Sequence, residues 1–141
     1  MTQEEKQLLL KDLCGRLLYG VKVDAYSYST PQTIYSIDVF RGEYTLENGD
    51  SGNLFVGFDK PIFSNIKPYL RPMSSMTEEE QKEFVEFHCV TLCPIIMGTC
   101  LTIENEGNML DWLNAHHFDY RGLIEKGLAL EALKDMYKYN N

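Results

Sequence analysis

The residues best equipped for chemistry fall in one hexapeptide, His116-His117-Phe118-Asp119-Tyr120-Arg121, where a histidine pair stands beside a carboxylate, a phenol and a guanidinium. A pair such as His117 with Asp119 could exchange a proton with a substrate, provided a pocket surrounds it and shifts its pKa. The competing reading is architectural. His116 and His117 would end one helix at its negative pole, and Asp119 would cap the next. Caps account for every residue of the set except Tyr120 and Arg121, so the spacing weighs toward structure.

A second set, His88, Cys89, Cys93 and Cys100, carries the soft ligands that zinc prefers. The Cys89-x3-Cys93 interval suits a metal. It also falls at the end of an amphipathic segment among Phe84, Val85, Phe87, Val90 and Leu92, where thiols pack as small hydrophobes. Core burial is the simpler account, and neither a metal nor another cofactor is expected. With Cys14 the cysteines number four; since the N-terminus carries acids instead of a basic secretory leader, they are expected as free thiols in the cytoplasm.

Gly49-Asp50-Ser51-Gly52 resembles the loop around the nucleophilic serine of chymotrypsin-like proteases, but that chemistry needs a histidine and an acid. In that family both precede the serine, and here His88, His116 and His117 all follow it. A hairpin connection explains the same residues. The aromatics Tyr26, Tyr28, Tyr35, Phe40, Tyr44 and Phe55 could stack on bases, yet stacking platforms accompany a positive groove. Only Lys22, Arg41 and Lys60 lie nearby.

Thirteen basic against twenty-one acidic residues give a net charge of -8, which repels phosphate backbones and argues against direct nucleic-acid binding. The excess is local: Thr77 to Glu106 holds seven Glu and one Lys. A solvated helix face explains this. The alternative is an acidic nucleic-acid mimic with Glu79, Glu83 and Glu86 as its stripe. No apolar run reaches the ~18 residues of a membrane-spanning helix.

The elements that must position these groups can be read from spacing. Thr2 with Glu5 forms a capping box ahead of Leu10, Leu13, Cys14 and Leu17, predicting an amphipathic helix that stops near Gly20. Alternation then predicts strands over Val21 to Ala25, around Tyr35-Ile37-Val39, over Glu43 to Leu46 and at Leu54-Val56-Phe58, joined by short turns. Pro61, Pro68 and Pro72 break regular structure, apart from brief extended pieces around Ile62-Phe63 and Tyr69-Leu70. Thr77 and Glu80 form a second capping box, Ile95 to Ile103 reads as a short strand, and helices are expected from Asn108 to His116 and from Tyr120 to Lys126. Leu128 to Tyr139 adds a last helix or an extended tail.

Two stretches, Lys67-Pro68-Tyr69-Leu70-Arg71-Pro72-Met73-Ser74-Ser75-Met76-Thr77-Glu78-Glu79-Glu80 and the run from Asp111 to Leu130 that contains the hexapeptide, together resemble small hypothetical proteins of gut Bacteroides-type bacteria and their phages or mobile elements. That group has no assigned activity, so no catalytic residue carries over. The resemblance implies a bacterial cytoplasmic setting and an accessory role on a mobile element.

The expected fold is α+β, a single domain over residues 1–141, with an antiparallel sheet of four to five strands packed against amphipathic helices and a helical C-terminal third. The expected function is a non-enzymatic accessory protein acting through an unknown protein partner or a homodimer. Its expected contact surface is Tyr69, Leu70, Arg71, Met73 and Met76. The competing class is a small enzyme centred on His117, Asp119, Tyr120 and Arg121.

Overall fold

The computed structural model describes residues 2–25, 28–54, 66–84 and 103–137. The first helix, α1 (Gln3–Arg16), opens as its sequence predicts: the Thr2 hydroxyl accepts from the Glu5 N–H at 3.1 Å and the Glu5 carboxylate accepts from the Thr2 N–H at 2.8 Å. The box satisfies two donors that a helix start would otherwise leave open. A 3-10 turn, Leu17–Tyr19, ends at Gly20 with φ +67°, a left-handed conformation that glycine adopts without strain.

The buried face of α1 differs from the one its leucines suggest. It comprises Leu9, Asp12, Leu13 and Arg16, at the i, i+3, i+4, i+7 spacing of one helical stripe. Cys14 is a free, exposed thiol. The stripe is turned toward Leu9 because Asp12 and Arg16 are taken up by a buried ionic cluster.

Among the described residues six strands follow: β1 (Lys22–Asp24), β2 (Gln32–Asp38), β3 (Glu43–Leu46), β4 (Ser51–Asn53), β5 (Lys67–Leu70) and β6 (Leu130–Glu131). They form one sheet in the order β4-β3-β2-β1-β5-β6. All neighbours are antiparallel except β5 and β6, which run parallel with Tyr69 opposite Leu130. The sheet is therefore mixed and one strand larger than expected. Strand β2 also departs from simple alternation: a bulge between Ile34 and Ser36 lets both Ile34 and Ile37 reach the core and turns Tyr35 outward. Gly52 in β4 lies under the Tyr44 ring, where an added Cβ would meet the hydroxyl at 2.7 Å.

Two further helices follow among the described residues. α2 is helical over residues 78–84, and its capping box is present, with the Glu80 N–H bonded to the Thr77 hydroxyl and the Thr77 N–H to the Glu80 carboxylate, both at 3.1 Å. α3 (Ile103–Ala115) starts five residues before Asn108, the expected start. The rest of the C-terminal third is not clearly helical: residues 120–127 form turns, and residues 130–131 join the sheet as β6. The turn at 120–127 replaces the expected second helix because the Asp119 carboxylate accepts from the N–H groups of both Leu123 and Ile124, at 2.8 and 2.9 Å. That geometry folds the loop around one side chain and buries Leu123.

The main core joins Leu9 and Leu13 of α1 to Val21, Val23, Ala25, Ile34, Leu46, Leu54 and Ile66. A second cluster packs Leu70 against Leu123, Leu128 and Ala129. A third gathers Trp112, Leu113 and Phe118, with Met76, Phe84 and Tyr120 against them. No described helix is long and apolar enough to cross a membrane. His88, Cys89, Cys93, Cys100, Glu86, Tyr26, Phe55 and most of the strand expected from Ile95 lie outside the described residues.

Candidate functional site

The hexapeptide is built around the end of α3. The Phe118 N–H bonds back to the Leu113 carbonyl at 3.0 Å and the His117 N–H to the Asn114 carbonyl at 3.1 Å. These paired bonds make a Schellman stop, in which the residue at His117 takes a left-handed conformation and the next one packs its side chain on the last turn. His117 has φ +60°, a site glycine usually fills. The histidine ring is buried and stacks on Tyr137 at 3.6 Å between centroids. Burial, reinforced by the positive charges of Arg16, His116, Arg71 and Lys22, pushes its pKa down to about 3. His117 is thus neutral throughout the physiological range.

The other members diverge. Asp119 closes the 120–127 loop. Tyr120 donates its hydroxyl to Asn114 Oδ1 at 2.9 Å, and the guanidinium groups of Arg16 and Arg121 lie 5.3 and 4.8 Å from its ring centroid. Arg121 bonds Asp12 at 3.0 Å. The same carboxylate receives Arg16 Nε and Nη2 at 2.8 and 3.1 Å, and Arg16 Nη2 also donates to the Phe118 carbonyl at 2.6 Å. Asp12 and Arg16 are completely buried. His117, Asp119, Tyr120 and Arg121 are therefore each engaged structurally, Tyr120 and Arg121 both at the Asp12–Arg16 cluster, and none of the four lines the cleft described next.

A different group of residues does converge. Arg71 leaves β5, forms a parallel bridge to Phe118 and clamps the Glu80 carboxylate with both Nη atoms, at 2.6 and 2.8 Å. Its guanidinium lies 4.2 Å from the centroid of the Phe118 ring. Burial alone would raise the Glu80 carboxyl, but hydrogen bonds from Arg71 and Thr77 and the Arg71 charge outweigh it and hold the pKa at about 2. Beside this clamp, His116 stacks on Trp112 at 3.9 Å, and Trp112 Nε1 donates to Glu83 at 3.2 Å. His116 Nδ1 lies 2.9 Å from the Trp112 carbonyl, a bond that requires the Nδ1–H tautomer. The clamp and His116 floor an open cleft of about 790 Å³, whose opposite wall is the segment from Glu131 to Tyr137. Glu79, Glu83 and Asp135 also line it.

The expected contact surface divides between these environments. Leu70 is fully buried in the second core cluster, so it belongs to the interior. Arg71 is engaged by Glu80, Met76 packs on the Trp112 cluster, and Tyr69 is half-buried in β5. Met73 alone of the five is exposed. The proline-flanked connector is spent on joining β5 to α2.

Large apolar side chains are exposed elsewhere. Phe40 is fully exposed, Tyr35 72% and Val39 58%, all on β2 or on the turn joining it to β3; Leu18, on the 3-10 turn that touches β2, is 91% exposed. Tyr35, Ile37 and Val39 alternate in sequence as one strand face would, and the β2 bulge hides this exposure from such a reading. The run Val39-Phe40-Arg41-Gly42, two large apolar residues in a turn, is the signal that could have revealed it. Comparison with protein-family models, curated proteins and solved structures finds no match for the chain.

Proposed function

We propose that the protein acts as a non-enzymatic accessory factor of bacterial or mobile-element origin that binds another protein, with the β2–β3 hairpin as its contact. One observation carries the reading: Phe40 stands entirely in water beside Val39, at the tip of a hairpin whose Ile34, Ile37, Tyr44 and Leu46 reach the core. Exposed apolar groups clustered in this way mark interaction sites more often than isolated ones do. Aromatic anchors also dominate interface energetics. The enzyme alternative is less well supported, since each of its residues has a structural contact of its own. The acidic-mimic alternative loses part of its stripe to structure, because Glu83 accepts from Trp112.

The test compares the wild type with Val39→Ser/Phe40→Ser as baits in host lysate, alongside sedimentation of each purified protein. The reading expects a partner, or a second copy, bound by the wild type and lost from the double variant at unchanged thermal stability. Identical binding by both proteins would reject the hairpin as the contact.

A further inference from the structure

We propose that Ala132–Tyr137 is a releasable strap forming one wall of the cleft, and that Tyr137 is its latch. Past β6 the chain makes one more sheet-like bond, from the Ala132 N–H to the Leu70 carbonyl at 2.7 Å, and then continues through residues 132–137 with neither strand nor helix. Leu133 is 57% exposed although it lines the cleft, and Lys134 and Asp135 are exposed. Asp135 holds φ +60°, a left-handed conformation away from any helix end. Within the segment the described backbone bond is a single turn, from the Met136 N–H to the Leu133 carbonyl at 3.1 Å.

Tyr137 supplies what the segment lacks. Its hydroxyl accepts from the Lys22 N–H of β1 at 2.9 Å and donates to the Tyr69 carbonyl of β5 at 2.7 Å, and its ring lies on the buried His117. One side chain thereby ties the strap to two strands and to the stop of α3. Withdrawing it breaks the hydroxyl's bonds to Lys22 and Tyr69 and the ring stack on His117, and leaves the main core clusters untouched. Segments of this kind open by local excursions that leave the core folded. Opening would remove the wall that faces Arg71, Glu80 and His116, and would bring the His117 ring and the Lys22 N–H to water. The cleft would then change from a bounded groove into a broad recess along β5.

Trypsin cleavage after Lys134 and native-state hydrogen exchange read this directly. In the wild type, the amides of Lys22 and Ala132 should exchange at least ~10-fold faster than that of Leu13 in α1, since strap release exposes them without global unfolding. Equal rates would overturn the proposal without any variant. Tyr137→Ala should raise the cleavage rate at Lys134 by at least ~10-fold with the Trp112 unfolding transition little changed, and Tyr137→Phe, which keeps the ring stack and loses both hydroxyl bonds, should fall between. Cleavage at one rate in all three proteins, or loss of the whole fold in Tyr137→Ala, would show that Tyr137 is no latch.

Discussion

Two arginine–carboxylate junctions hold this fold, and their surroundings give them different work. Asp12, Arg16 and Arg121 join α1 to the loop after α3 with the first two side chains wholly excluded from water. Arg71 and Glu80 join β5 to α2 at the edge of the cleft, 17% and 15% exposed. Both are bidentate pairs. In the first, no water can replace a lost partner, so either charge is costly alone. In the second, water and the Thr77 capping box share the load. Similar chemistry thus makes an internal keystone in one place and a tunable clamp in the other.

The comparison is broken most severely at the keystone. Arg16→Met strips Asp12 of two hydrogen bonds and the Phe118 carbonyl of its donor, and should cost about 3–5 kcal/mol in urea denaturation. Asp12→Leu/Arg16→Met, which removes both charges together, should recover much of that loss, since Arg121 can turn to solvent.

Acid separates the two regions next. His117 has an ordinary value of 6.5 and a folded value of about 3, so the unfolded chain binds a proton that the fold refuses. Stability therefore falls as pH drops from about 6.5 toward 3, with a slope approaching ~1.4 kcal/mol per pH unit. His117→Asn, which tolerates the left-handed backbone, should flatten that slope. Glu80 differs in window: its folded value of about 2 against 4.5 means its contribution is intact above pH 4.5 and lost on falling through pH 2. Glu80→Gln should flatten the profile only below about pH 4.5. Stability measured by Trp112 fluorescence across pH 3 to 7 distinguishes the two. The smallest effect belongs to the hairpin, where Val39→Ser/Phe40→Ser should leave stability within ~0.5 kcal/mol of the wild type in the same assay.

These junctions also mark how far the sequence could be read. Both capping boxes were legible because each is a three-residue signal completed within its own turn, and Gly20 marked a helix end for the same local reason. Asp12 and Arg16 were not legible as a keystone. At i, i+4 they look like a surface pair, and only a loop more than a hundred residues away buries them. Their position on the Leu9–Leu13 stripe was the available clue. The C-terminal third misled for a related reason: Leu123 and Leu128 were expected in segments on either side of Gly127, but their burial comes from a turn wrapped on Asp119 and from a two-residue strand paired with distant β5. His117 at a left-handed helix stop carried no glycine to announce it. His116 and His117 do stand at the end of α3, but the neutral His117 adds no charge to that pole, and Asp119 binds a turn where a helix start was expected.

The most direct measurement sets Asp12→Asn beside Glu80→Gln, two near-isosteric changes that each remove one charge, in parallel urea denaturation at pH 7. The account predicts a loss of roughly 3–5 kcal/mol for Asp12→Asn against about 2 kcal/mol for Glu80→Gln. Equal losses, or the larger loss at Glu80, would contradict it.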